Sequence, residues 1–145
     1  MKQLHLFATL AGTRVAIAAE EVEAVVRLID ISPVPGLGGH VAGLSALRSR
    51  VLTVIDVAAL IYGAPTPADK RGLAIIAAIG GHSYALMVDE VSDICRAPGG
   101  ALPLRGQLDP VWKPYARALV EHAELPWLLV SPSAFLESGI VGQAA

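Results

Sequence analysis

Hydrophobic positions along the chain come in short runs, broken every few residues by Gly, Pro or charged side chains. Runs of this length, bounded by turn residues, predict β-strands. Leu4 to Leu10 and Arg14 to Ala18 read as a strand pair around a turn at Ala11-Gly12-Thr13. Glu20 to Val25 reads as a short helix, with acidic residues at its positive end and Val22 and Val25 on one face. Arg27 to Ile31 reads as a strand, and Ser32 to Gly39 as a Pro- and Gly-rich loop. Val41 to Leu47 and Val51 to Ile55 form a second expected strand pair, turning at Arg48-Ser49-Arg50, with a short helix over Val57 to Tyr62. Leu73 to Ile79 and Ser83 to Val88 restart the pattern. Leu102 to Pro114 is irregular, and Ala116 to Glu121 and Leu125 to Val130 are the last strong strands. The many Ala residues dilute β-propensity within these runs.

The pattern also repeats. Leu6 to Gly12 reads onto Ile75 to Gly81, Val15-Ala16-Ile17 onto Tyr84-Ala85-Leu86, Glu20-Glu21-Val22 onto Asp89-Glu90-Val91, and Val25-Val26-Arg27 onto Ile94-Cys95-Arg96, at a constant offset and without a gap. A weaker echo follows at a slightly longer offset, with Val54-Ile55-Asp56 answered by Leu129-Val130-Ser131 and Leu60-Ile61 by Phe135-Leu136. Two similar β-rich halves suggest a two-lobed binding module built from small barrels or sandwiches. The Pro-containing, charged segment 63–71 is the expected linker, which places the lobes at about 1–63 and 72–138, with strand exchange between them allowed.

A chain of 145 residues suits one domain or two very small lobes, and 54% hydrophobic residues exclude disorder. No apolar run is long enough to cross a bilayer, and the N-terminus lacks the apolar core of a signal peptide, so a cytoplasmic protein without direct membrane insertion is expected. One cysteine, Cys95, fits a reducing compartment. A net charge of −2 with 5% aromatics offers neither the basic stripe nor the stacking platform of a nucleic-acid surface.

Catalytic signatures are missing. His5, His40, His82 and His122 are scattered, with no His-x-x-x-His pair and no Cys/His ligand spacing, so no zinc site is expected. There is no Gly-x-Ser-x-Gly elbow or phosphate loop. Gly36-Leu37-Gly38-Gly39 lacks the strand-to-helix junction of a phosphate cradle. Cys95, beside Ile94 in an apolar strand, reads as a packed thiol. Asp89 and Glu90 point apart and read as a solvated acidic turn.

One set of residues carries a family resemblance. Val41-Ala42-Gly43-Leu44-Ser45-Ala46-Leu47-Arg48, followed by Leu52 to Val57, resembles the central signature of CheW-like domains. Ile31 to Pro35 resembles the family's proline loop, Ala85 to Ile94 its Val-Asp-x-Val segment, and Trp127 to Val130 its closing strand. The pieces run in the expected order over nearly the whole chain. Ala46, Ser49 and Thr53 stand where the family usually has Asn, Gly and Pro. Ala24 replaces a frequent Glu, and Ala118 a common Gly.

The resemblance implies a mostly β fold of two small SH3-like β-barrel lobes packed together, with short helices, as a single CheW-like domain over 1–145. It implies a non-catalytic, cofactor-free adaptor of bacterial chemotaxis-type signalling. Its expected partners are the regulatory domain of the histidine kinase CheA and the cytoplasmic tip of methyl-accepting chemoreceptors, with recruitment to membrane-associated receptor arrays. Val22, Val25, Gly43, Arg48, Val91 and Ile94 match the family's receptor-facing groove. Ile31, Val34 and Leu37 match its kinase-facing surface. Two other readings stand beside this one: an assembly subunit of a pathway unrelated to chemotaxis, and a small-molecule sensor using the cleft between lobes.

Overall fold

A computed structural model describes residues 4–33, 41–67, 72–97, 101–104 and 109–136. Eleven strands form two sheets among these residues. In chain order they are β1 (Leu4–Leu10), β2 (Thr13–Ala18), β3 (Ala24–Arg27), β4 (Val41–Leu47), β5 (Arg50–Ile55), β6 (Leu73–Ile79), β7 (His82–Met87), β8 (Glu90–Arg96), β9 (Ala101–Leu102), β10 (Ala116–His122) and β11 (Leu125–Val130). Helix α1 spans Val57–Tyr62, and residues 132–136 are helical. The first sheet runs β8-β1-β2-β11-β10-β9 and the second β3-β6-β7-β5-β4.

The internal repeat is realised strand for strand. Hairpin β1–β2 corresponds to β6–β7, and hairpin β4–β5 with α1 corresponds to β10–β11 with its following helical turn. Each hairpin pair is joined by a short parallel contact, β2 to β11 and β7 to β5. The third strand of each repeat crosses over: β3 pairs with β6, and β8 pairs with β1. Each sheet therefore takes strands from both sides of 63–71: the first takes β1 and β2 together with β8 to β11, and the second takes β3 to β7. Strand pairing is settled by hydrogen bonds between edges, which a linear composition shift does not report.

Alternation along the strands feeds three cores. Leu6, Leu10, Val15 and Ile17 of the first sheet meet Ile55, Ile75 and Leu86 of the second between the sheets. Their neighbours point the other way. Phe7, Ala16, Val120 and Trp127 fill the first lobe, and Leu52, Val54, Ala74, Ile76 and Ala85 fill the second. Strands buried on both faces read as continuous apolar runs. The alanines that weaken the strand signal now have a reason. Ala8, Ala16, Ala74, Ala77 and Ala85 are all fully buried, at places where a small lobe holds only a methyl group.

Two expectations fail locally. Glu20 to Val25 is not a helix: a 3-10 turn covers Ala19–Glu21, and the chain then extends into β3. The Glu23 amide donates to the Ile76 carbonyl, and β-branched Val25 and Val26 take places in the ladder. Arg27 to Ile31 does not continue as a strand. It curls so that Ser32 bridges Leu44 on β4, tying the segment after β3 to the far edge of the same sheet.

Among the described residues, four tight hairpins turn through two residues with positive φ: Ala11-Gly12, Arg48-Ser49, Gly80-Gly81 and Ala123-Glu124. Such turns match strand twist but favour Gly, most of all at the second position. Ser49, at φ 69°, carries a side chain where glycine is unstrained. Ser49→Gly is expected to raise stability by about 0.5–1 kcal/mol in urea unfolding, because relief of left-handed strain exceeds the added backbone entropy. A fall in stability would contradict this.

Candidate partner-binding groove

The exchanged strands β3 and β8 are both edge strands, one from each sheet, and a hollow lies between them. On β8, Ile94 lies opposite Leu6 and Val91 opposite Ala8, with Ser92 skipped in a bulge. Without that extra residue Val91 and Ile94 would face opposite ways. The bulge turns both onto the side of Leu6 and Ala8. From the other sheet, the Ala19–Glu21 turn and β3 bring in Val22 and Val25. The resulting cavity is about 160 Å³, lined by Leu6, Ala19, Val22, Glu23, Val25 and Ile94. Val22, Val25 and Val91 are half-buried against the core between the sheets, whereas Ile94 is 53% exposed.

The rim is polar. Arg50, at the start of β5, pairs with Glu23 at 3.1 Å and donates to the Ser83 hydroxyl. An ion pair this exposed adds little stability. Its consequence is geometric, since it fixes a guanidinium and a carboxylate beside an apolar hollow. Sequence reasoning missed Arg50 because its role depends on β5, β7 and the start of β3 meeting at one end of the sheet.

The other expected groove residues lie elsewhere. Gly43 is buried on β4, at the opposite edge of the second sheet from β3, and does not line the hollow. Arg48 is exposed in the β4–β5 turn. It does not line the hollow either, although it precedes by two residues the Arg50 that reaches the rim. Asp56 of the signature is a structural residue. It is buried, accepts from the Ala59 amide at the start of α1, and holds the Thr66 amide and hydroxyl at 2.7 Å each. Asp89 is not merely solvated, for its carboxylate accepts the Gly12 amide at 2.8 Å and braces the first hairpin turn. Ile31 is half-buried against the core of the second lobe, next but one to Ile29, which is 95% exposed. Val34 and Leu37 lie outside the described residues.

A second hollow of about 620 Å³ lies between the Ala11-Gly12 turn, α1 and residues 64–67. Among the described residues its charged groups are Arg27 and the already bonded Asp89.

A profile of the CheW-like domain matches residues 5–139. The chain belongs to the CheW-like domain family. Membership places it among the scaffold and adaptor proteins of chemotaxis-type signalling. The crystal structure of the scaffolding protein TtCheW from Thermoanaerobacter tengcongensis is similar, with a TM-score of 0.74 at 19% identity, over 90% of this chain and 89% of that one. At that identity the likeness is one of fold, and it covers both sheets. No curated protein matches the chain. No helix among the described residues is long and apolar enough to cross a membrane.

Proposed function

We propose that this CheW-like chain is a non-catalytic adaptor in the cytoplasm, recruited to receptor arrays, and that the hollow between β3 and β8 takes the tip of a chemoreceptor. The observation that carries the reading is the pairing of groove residues by the repeat. Val25 on β3 corresponds to Ile94 on β8, so each exchanged edge strand brings an equivalent apolar residue to the hollow, with Val22 from the segment before β3 beside them. A helical hairpin presents two similar helix faces side by side, and apolar helix faces dock in grooves of this kind. Ile94 is the exposed anchor and Glu23–Arg50 the polar rim that sets orientation. Gly43 serves the fold in this reading. Arg48 acts from the turn beside the rim, within reach of partner residues that extend past the hollow.

The regulatory domain of CheA would engage the chain at Ile31, on the second lobe, and at Val34 and Leu37, which the family resemblance adds and which lie outside the described residues. Exposed Ile29 adds an apolar contact that sequence reasoning did not single out.

The test is a titration of the protein with a receptor-tip hairpin. Ile94→Lys is expected to weaken binding by about 2 kcal/mol or more, roughly thirtyfold, as loss of an anchoring residue does. Its unfolding midpoint should stay near that of the parent, because the site is half exposed. Undiminished affinity would remove the receptor from this hollow.

A further inference from the structure

We propose that Asp93, Cys95 and His122 form a binding site for a borderline or soft divalent transition metal, with zinc the best fit. The site is far from obvious in the sequence, because Cys95 and His122 belong to different hairpins. In the fold, β8 and β10 lie at or next to opposite ends of the first sheet, and the sheet curls until their side chains meet across its open seam. Asp93 and Cys95 lie on the face of β8 that is paired with Phe7 and His5, opposite to the face that carries Ile94 into the groove.

The geometry suits a metal. Cys95 Sγ lies 3.6 Å from His122 Nδ1. Zinc–sulfur and zinc–nitrogen bonds of about 2.3 and 2.0–2.1 Å at a tetrahedral angle put those two atoms roughly 3.6 Å apart. Asp93 Oδ2 lies 3.4 Å from His122 Nε2, the other ring nitrogen, so its exposed side chain must turn to join a metal held by Cys95 Sγ and His122 Nδ1. One ligand atom from each of the three residues falls within 4.8 Å of the other two. The imidazole is already oriented by stacking on Phe7 with centroids 4.1 Å apart, and the His122 main-chain carbonyl accepts the Trp127 indole N–H at 3.0 Å. Asp93 is half exposed and His122 partly so, which leaves an entry path and a fourth position open to water.

A dication held here would be the largest local charge, and a thiol that coordinates it is deprotonated outright. On binding, the thiol proton leaves to solvent and the sulfur lone pair takes its place on the metal. Nothing is oxidised or reduced.

The experiment uses the full chain, reduced and stripped of metal, with Co²⁺ as the spectroscopic probe and Zn²⁺ as competitor. The expected result is one ion per chain, a thiolate-to-cobalt charge-transfer band, the intense visible bands of tetrahedral cobalt, and displacement of both by zinc. Cys95→Ser should abolish the charge-transfer band and weaken zinc by more than the ~10–100-fold that loss of an outer partner costs. Asp93→Asn, at a half-exposed position that leaves the lobe folded, should weaken zinc at least tenfold. Zinc should also protect Cys95 from alkylation by iodoacetamide. An octahedral cobalt spectrum without charge transfer, equal zinc affinity in Cys95→Ser, or a thiol alkylated equally fast with and without zinc would overturn the proposal.

Discussion

Gly43→Ala is expected to lower stability by roughly 2–4 kcal/mol, a large fraction of what a domain of this size holds. Gly43 sits at φ 148°, a conformation that side chains rarely adopt. A Cβ built there would lie 2.2 Å from the Ser32 carbonyl oxygen and 3.1 Å from Pro33 Cα. Both are backbone atoms, and neither can move alone. Ser32 and Leu44 exchange two hydrogen bonds, at 2.8 and 2.9 Å, and Ser45 Oγ donates to the Asp30 carbonyl at 2.6 Å. These contacts tie the chain after β3 to β4, so relieving the clash means opening that side of the second lobe over Leu52 and Val54. Urea unfolding of Gly43→Ala measures the cost. A variant of parental stability that has lost receptor binding would return Gly43 to the partner surface.

Asp56→Ala should cost about 2–4 kcal/mol for a different reason. Its carboxylate is buried, caps α1, and holds Thr66 through two short bonds. A lost cap alone costs about 0.5–2 kcal/mol, and hydrogen bonds to a charged group contribute about 1.5–3 kcal/mol each. Removal also takes away the acceptor of two Thr66 hydrogen bonds in a half-buried place. Asp56→Asn keeps one acceptor and should lose less. Urea unfolding of both variants gives the order, and a loss below about 0.5 kcal/mol for Asp56→Ala would show that the segment from Gly63 onward is not held by this residue.

The two halves of the molecule were legible because the repeat is carried by hairpins, and a hairpin is local. Turn residues, apolar runs and the offset between Leu6 and Ile75 all report the same strands. The crossing of β3 and β8 was not legible, since Val25-Val26 and Ile94-Cys95 carry no mark of which edge they will pair with. The same difficulty explains the groove. Val22, Val25, Val91 and Ile94 were matched to the family's groove by the resemblance, and Val25, Val91 and Ile94 stand on the two edge strands, whereas the bulge at Ser92 that aligns Val91 with Ile94 has no sequence signal. Gly43 and Arg48 belong to the same signature, yet the signature preserves fold as well as contact. Gly43 answers a backbone approach by Ser32 that only the folded chain reveals. The gathering of Asp93, Cys95 and His122 lies beyond spacing rules altogether, because it follows from the curl of a whole sheet.

We propose that the receptor docks in the hollow between the exchanged strands, and backbone amide chemical shifts of the isotope-labelled protein, followed during titration with an unlabelled receptor-tip hairpin, locate the contact. The largest changes are expected at Ala19 to Val25 and at Val91 to Ile94, with smaller ones at Arg48 and Arg50 and none beyond background at Gly43 or at Ala101-Leu102. Changes centred on the α1 face or on Ile29 to Ser32, with Ile94 and Val25 unmoved, would contradict it.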